Sequence, residues 1–305
     1  MYDLIIIGAG AAGMTSALYA LRNNKTVLVL ESESLGGQIA TSPRLENYPS
    51  IKEISGEKFA DNLFEQISAH GAEVEIEKVI SVDKLKDNTF KVATEYNEYT
   101  AKSVIIASGV KHKHLRTKSN REDLVGKGVY YCAICDGPFY KDREVAIIGD
   151  ANTALQYSLL LSSYCKKVFV YTLFDKFFGD ASLVKALRAK ENIEVRPNTS
   201  VIDFIGEDEL TAIEYKDKDG NILRHEIPAV FVAIGQVPDN KAFANLVDLD
   251  DLGYIIADET CKTRTEGLFV AGDCRTKAVR QVSTAIADGA IAATNASIYL
   301  ESLDK

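Results

Sequence analysis

The stretch Leu4-Ile5-Ile6-Ile7-Gly8-Ala9-Gly10-Ala11-Ala12-Gly13 decides how the rest of the chain is read. An apolar, mostly β-branched run reads as a buried strand. Three glycines spaced G-x-G-x-x-G follow at once and lead into a helical stretch to about Asn23. Strand, glycine turn and helix stand in the order that dinucleotide binding requires. Gly8 permits the tight turn, Gly10 lets a pyrophosphate approach backbone N–H groups at the helix start, and Gly13 lets helix and strand pack closely. The next strand, Thr26-Val27-Leu28-Val29-Leu30, ends in Glu31, whose carboxylate can accept hydrogen bonds from a ribose diol. A glycine-rich turn without a ligand is the bland alternative, and the agreement of strand, helix and terminal acid argues against it.

Outward from this unit, Gly36-Gly37-Gln38 and Glu46-Asn47-Tyr48-Pro49 form a polar loop before an amphipathic helix at roughly 56–70. Alternating segments near 74–82, 89–95 and 98–101 read as an antiparallel β excursion with a turn at Asp87-Asn88. Ser103-Val104-Ile105-Ile106-Ala107-Ser108-Gly109 returns to a buried strand. A second strand–turn–helix follows at Glu144-Val145-Ala146-Ile147-Ile148-Gly149 with a helix at about 152–164. Short strands fill 193–227 around a Lys218-Asp219-Gly220-Asn221 turn, Val230 to Gly235 closes the second unit, and Pro238-Asp239-Asn240 reads as the return linker. Gly267-Leu268-Phe269-Val270-Ala271-Gly272-Asp273 is a last strand ending in an acid, with a long helix from about Gln281. That final unit is too small to fold alone, so it should complete the first sheet. The expected fold is α/β, with two Rossmann-like three-layer dinucleotide-binding domains. The first is discontinuous, 1–112 with 243–305, and the second spans 116–240.

A chain of 305 residues with 46% hydrophobic composition can bury two ordinary cores. Its formal charge of −9 argues against a general nucleic-acid binder, which would carry a basic excess. The start lacks a basic n-region, and Leu4–Ile7 is too short for a signal or a membrane span. A soluble protein in the reducing cytoplasm is the expectation. There, Cys132-Ala133-Ile134-Cys135 is kept for chemistry more often than as a staple. Two thiols at this spacing between two dinucleotide-type units read as a disulfide that opens and closes during turnover. Asp136, directly after, could shuttle the proton that a leaving thiolate needs. Zinc is the rival reading, but it needs a second ligand pair, and Cys165, Cys261 and Cys274 stand alone. A structural disulfide is the other alternative. Lys111-His112-Lys113-His114, Arg116 and Lys118 form a basic stretch that reads as a solvated connector or as a docking patch for an acidic partner; its histidines lack further ligands at metal spacing.

Taken together these motifs resemble the low-molecular-weight flavin thioredoxin reductases, over the whole length. The resemblance is carried by Gly8 to Gly13, Gly36-Gly37-Gln38, Glu46-Asn47-Tyr48-Pro49, Cys132 to Gly137, Ala233-Ile234-Gly235, Gly267 to Asp273 and Arg280-Gln281-Val282. It implies FAD in the first domain, held by Gly8, Gly10, Ala11, Gly13, Glu31 and Gly36. Gln38, Asn47, Val79, Ala107 and Gly109 are further implied contacts, with Asp273 on the ribityl chain and Arg280-Gln281-Val282 lining the isoalloxazine. It implies a homodimer, Cys135 facing the flavin, Cys132 attacking the thioredoxin disulfide, and Asp136 as acid/base.

The departure lies in the second unit. Family members that use NADPH carry a GGGxxA loop and a His-Arg-Arg run, where this chain has Gly149-Asp150-Ala151-Asn152-Thr153-Ala154 and Thr172-Leu173-Phe174. Ala151 puts a Cβ where backbone must meet pyrophosphate, and no carboxylate or arginine awaits the adenosine ribose. Each lost charged contact is worth ~1.5–3 kcal/mol, so losing two weakens binding by roughly two orders of magnitude or more. In this respect the chain looks most like the ferredoxin-dependent flavin thioredoxin reductases, and the basic stretch, with Lys166 and Lys167, could meet an acidic ferredoxin. The competing readings are a reductase that takes NADH or NADPH through unusual contacts, a dithiol oxidase of the same fold, and a non-catalytic flavin-binding redox sensor.

Overall fold

A computed structural model describes residues 1–42, 45 and 47–303; Glu46 of the loop quoted above lies outside the described residues. The chain divides into two compact units, Met1–Lys111 with Val237–Lys305, and His112–Gln236. Both are three-layer α/β units.

In the first unit the run that opened the reading is the strand Tyr2–Ile7, buried on both faces, which is why it shows no polar alternation. Val27–Glu31 and Glu98–Ile106 flank it in parallel. The far edge of Glu98–Ile106 is shared: its first half pairs antiparallel with Phe90–Thr94, its second half parallel with Leu268–Val270. The last strand thus completes the first sheet, as the small size of its unit required. On one face Leu4, Ile6, Val27 and Val29 pack against Met14, Ala17, Ala292 and Ala293 from the helices Ala11–Arg22 and Val282–Leu303. These helices approach closely enough that a Cβ on Gly289 would lie 2.4 Å from the Ala12 carbonyl oxygen. On the other face Ile5, Ile7, Leu28 and Leu30 meet Val82, Phe90 and Val92 of the antiparallel strands.

One expectation needs correction. Glu73–Ile76 does not belong to the antiparallel excursion: it lies parallel to Val27–Glu31 at the sheet edge, and only Val79–Lys84 and Phe90–Thr94 are antiparallel. Alternating polarity reports one covered face and is blind to strand direction, so the break at Glu77-Lys78 left no signal of the change. Similarly, the segments at 98–101 and 103–109 are one strand, Glu98–Ile106.

The second unit has a five-stranded parallel sheet in the order Ile193–Arg196, Lys167–Tyr171, Glu144–Ile148, Val230–Val232, Val129–Tyr130. A three-stranded antiparallel sheet, Ser200–Gly206, Leu210–Lys216 and Ile222–Glu226, covers one face through Val201, Phe204 and Ile213. The helix Asn152–Ser162 covers the other through Ala154 and Leu161. A further helix, Ala181–Arg188, follows the Lys167–Tyr171 strand, where no helix was read from the sequence.

Candidate functional site

Cys132 and Cys135 are joined in a disulfide, with Cα atoms 5.3 Å apart. The strand Val129–Tyr130 delivers the pair, and a short helix, Ala133–Asp136, carries it: Cys132 is the N-cap residue, its Sγ accepting from the Cys135 N–H at 3.2 Å. Of the two residues between the cysteines, Ala133 is buried and Ile134 is exposed. The next residue, Gly137, seats this turn: a Cβ there would lie 2.4 Å from the Tyr164 hydroxyl and 2.6 Å from Leu161 Cδ2.

Asp136 is 6% exposed, and its Oδ1 has no hydrogen-bond partner. Burial pushes its pKa up to about 7, because an unpaired carboxylate cannot be solvated there. A carboxyl group balanced near neutrality both holds and releases a proton at working pH, which is what acid/base service to a thiolate needs.

The histidines of the basic stretch have a place the sequence reading missed. His112 is half-buried rather than a solvated connector residue, its ring stacked on Tyr131 with centroids 5.1 Å apart. His114 also meets this ring, tilted, with centroids 5.2 Å apart and its Nδ1 3.2 Å from the Tyr131 hydroxyl. Burial first, then the neighbouring His114, lowers the His112 pKa to about 4, so it is neutral at pH 7. Tyr131 directly precedes Cys132.

In the first unit, the residues expected to hold a dinucleotide gather at the carboxyl ends of the parallel strands, where open α/β sheets bind ligands. Gly8 takes φ +108°, and a Cβ there would lie 2.3 Å from the carbonyl oxygen of Ala107, so these two meet at the crest of adjacent strands. Gly13 is pressed on the Gly8 carbonyl. Gly10 differs: its backbone is ordinary, at φ −77° and ψ −175°, and a Cβ would find only the Gly36 carbonyl oxygen, at 3.9 Å. The fold does not demand glycine at Gly10, so the space above it is free for a ligand. Gly36 bridges to Gly10, and Gly36 N–H donates to the Ala9 carbonyl. Ala11 opens the helix. The Glu31 carboxylate accepts from Ala9 N–H at 2.7 Å and Glu33 N–H at 3.0 Å, leaving further lone pairs for a diol.

Gln38 donates its side-chain amide to the Val110 carbonyl, next to Gly109. Asn47 and Gln281, 234 residues apart, are joined by a hydrogen bond of 3.0 Å. Val79 heads its strand opposite Thr94, and Val282 begins the last helix. Asp273 follows Leu268–Val270, and its buried Oδ1 has no partner; burial raises its pKa to about 6, against the pull of Lys277 and Arg280. Such an orphaned carboxylate oxygen suits a ligand hydroxyl. Arg280 lies over the Tyr254 ring at 4.2 Å and donates to the Asp273 carbonyl.

The sequence reading also missed Asp288, in the alanine-rich last helix. Buried, it accepts from Arg275 Nε at 2.8 Å, Lys277 Nζ at 2.9 Å and Gly272 N–H at 3.0 Å, pinning the turn that carries Asp273. A lone acid among Ala285, Ala290, Ala292 and Ala293 was the available signal.

The second glycine turn keeps the counterpart of Gly8 and carries alanine at the counterpart of Gly10. Gly149 repeats Gly8, with φ +149° and a would-be Cβ 2.4 Å from the Ala233 carbonyl oxygen. Ala151, at the position of Gly10, has a methyl group exposed at the helix start. The Asp150 carbonyl is engaged by Phe178 N–H at 2.7 Å, and Asn152 Oδ1 accepts from Asp180 N–H. Leu173, Phe174 and Phe178 are 60%, 48% and 53% exposed. Lys176 Nζ lies over the Phe178 ring at 5.1 Å, so this segment carries one cation beside its exposed apolar side chains.

Two three-layer nucleotide units, a glycine turn with ligand space at Gly10, an orphaned acid at Asp273 and a disulfide beside a near-neutral buried acid define a flavin disulfide oxidoreductase. Residues 2–289 match the family described as pyridine nucleotide-disulphide oxidoreductase, and the chain belongs to it. Its relatives narrow the class to the thioredoxin reductase-like members, FAD-binding flavoproteins, and FAD is the cofactor. The chain is 39% identical over 304 residues to the thioredoxin reductase of Treponema pallidum, covering 99% of this chain and 98% of that one. The thioredoxin reductase structure from Streptococcus pyogenes superposes with a TM-score of 0.94 at 34% identity, covering 99% of both chains. That from Giardia duodenalis does so at 0.91 and 29%, covering 98% and 99%.

Proposed function

We propose that the chain reduces the disulfide of a thioredoxin through Cys132 and Cys135, and that a ferredoxin rather than NADPH is the electron source. The observation that carries the first part is the closed Cys132–Cys135 pair next to Asp136, whose burial holds its pKa at about 7. FAD, when bound, supplies the electron pair that opens this disulfide. Gly8, Gly10, Ala11, Gly13 and Gly36 would take its pyrophosphate against backbone, Glu31 its ribose and Asp273 its ribityl hydroxyls. Gln38, Asn47, Val79, Ala107, Gly109 and Arg280-Gln281-Val282 would complete the binding site. The Cys132 thiolate attacks one sulfur of the thioredoxin disulfide, and the first thioredoxin thiolate to leave takes a proton from Asp136. Cys135 then attacks Cys132 Sγ, the second thioredoxin thiolate leaves and is protonated, and the pair closes again. A second copy of this chain is the expected assembly partner, and the cytoplasm the compartment.

The donor assignment is supported by Ala151, whose methyl stands where backbone would meet a pyrophosphate, and by the apolar Leu173 and Phe174, with Lys176 held over the Phe178 ring. Lys166 and Lys167 are ion-paired with Glu144 and Glu194, so Lys113, Arg116 and Lys118 are the better candidates for meeting an acidic ferredoxin. The second reading, NADPH or NADH through unusual contacts, is favoured by the intact Gly149 turn. An anaerobic experiment separates them: the yellow protein is mixed with NADPH or with reduced ferredoxin, and flavin absorbance is followed before thioredoxin is added. Bleaching by ferredoxin alone, then thioredoxin reduction, is expected. Rapid bleaching by NADPH would refute the donor assignment, and thioredoxin turnover by Cys132→Ser would refute the thiol assignment.

A further inference from the structure

Cys132 is the link between two anchored pieces of backbone. On its C-terminal side Asp136 N–H donates to the Cys132 carbonyl at 3.0 Å, and Gly137 is wedged beneath Tyr164 and Leu161, so Cys135 is held whether or not the disulfide is closed. On its N-terminal side the ladder with Val230–Val232 ends at the pair Phe231–Tyr130. The anchor beyond that point is the ring of Tyr131. It touches two imidazoles from one segment, stacked on His112 and hydrogen-bonded through its hydroxyl to His114, and Lys113 N–H, between them in sequence, donates to the Gly235 carbonyl at 3.0 Å. His112 is itself faced by the Gln236 amide, 3.4 Å from its Nδ1.

We propose that Tyr131, held by its contacts with His112 and His114, is a positioning residue that keeps Cys132 within reach of Cys135 when the two are thiols, and so sets how strongly the pair favours the disulfide. The inference rests on the assignment of Cys132 and Cys135 as the working pair. Closing the pair releases two electrons and two protons, and opening it takes them back. The closing equilibrium scales with the effective concentration of one thiol at the other, which falls when one of them is free to wander. The clamp acts on the dithiol state, where no covalent bond does the holding. Its stacked part comes from His112, which stays neutral through the neutral range, so the clamp persists wherever the enzyme works.

The flavoprotein is equilibrated in dithiothreitol redox buffers, and the Cys132–Cys135 thiols are counted by alkylation and mass spectrometry. Tyr131→Phe keeps the ring stacked on His112 and loses only the hydroxyl's hydrogen bond to His114, so it should titrate within about twofold of the native protein. Tyr131→Ala should be reduced about tenfold more readily, a shift of about 30 mV to more positive potential for a two-electron couple. His112→Leu removes the stacked imidazole from the opposite side and should move the same way, which guards against a misfolded alanine variant. Native-like equilibria in both Tyr131→Ala and His112→Leu would overturn the clamp. A native pair that never exchanges with the buffer would instead overturn the assignment beneath it.

Discussion

Asp136→Asn separates the two consequences of burying a carboxyl group beside a disulfide. In the unfolded chain this aspartate titrates near its ordinary value of 3.8, whereas in the folded chain burial holds it at about 7. Below pH 4 both states are protonated and the group has no effect on stability. Between pH 4 and 7 the unfolded state ionises while the folded state stays neutral, so stability falls by about 1.4 kcal/mol per pH unit. Above pH 7 the loss levels off at about 4 kcal/mol. Asparagine has nearly the same shape and no charge to desolvate. Denaturant unfolding of the oxidised protein at pH 5 and pH 8 should therefore show native stability dropping by about 2.7 kcal/mol more than that of the variant. Turnover moves the other way, down by roughly 10²–10⁴-fold, because the variant cannot supply a proton to the leaving thiolate. Parallel pH dependences in the two proteins would show that Asp136 is solvated in the fold. Undiminished turnover would remove it from the chemistry.

Gly10→Ala should leave the cofactor-free fold as stable as before, or ~0.4–1 kcal/mol more so, because the backbone there suits any residue and the Cβ has room. The same methyl should weaken FAD binding tenfold or more, read by titrating FAD into the cofactor-free chain; unchanged affinity would place the pyrophosphate elsewhere. Asp273→Asn should also weaken FAD, and it should remove a loss of cofactor-free stability as pH rises from 4 through 6, since the native acid ionises only near pH 6 in the fold. Asp150→Gly with Ala151→Gly should not restore NADPH use, because Leu173 and Phe174 still offer no cation to a 2′-phosphate. Efficient NADPH oxidation by that double variant, followed at 340 nm, would overturn the account of the 172–174 segment.

Much of this was legible along the chain because the deciding signals are local. A buried parallel strand is a continuous apolar run, a ligand-binding turn is a glycine spacing, and a redox pair is two cysteines three positions apart. Asp136 could be named from its adjacency to Cys135, although its raised pKa could not, since that depends on the layers packed over it. The clamp of His112 and His114 on Tyr131 was out of reach for another reason: these residues are far apart in sequence and meet only because the 112–114 segment and the end of the Val129–Tyr130 strand come together in the fold. The same holds for Asn47 with Gln281. The direction of Glu73–Ile76 was hidden because parallel and antiparallel edge strands alternate alike.

The sheet that holds the dinucleotide turn is closed by a strand made after the whole of the inserted unit. Leu268–Val270 must pair with Glu98–Ile106, and Ser103 donates to the Gly267 carbonyl across 164 positions of sequence. During synthesis His112–Gln236 is complete while its neighbour still lacks a strand and the helix Val282–Leu303 that covers one face. The inserted unit can therefore fold first and bring Cys132 and Cys135 together before the cofactor cradle exists. Ordering of the first unit must wait for contacts of long sequence separation, which fold slowly. Flavin capture then becomes a late event in the life of the chain, and truncation before Gly267 should yield a colourless protein whose second unit is nonetheless folded.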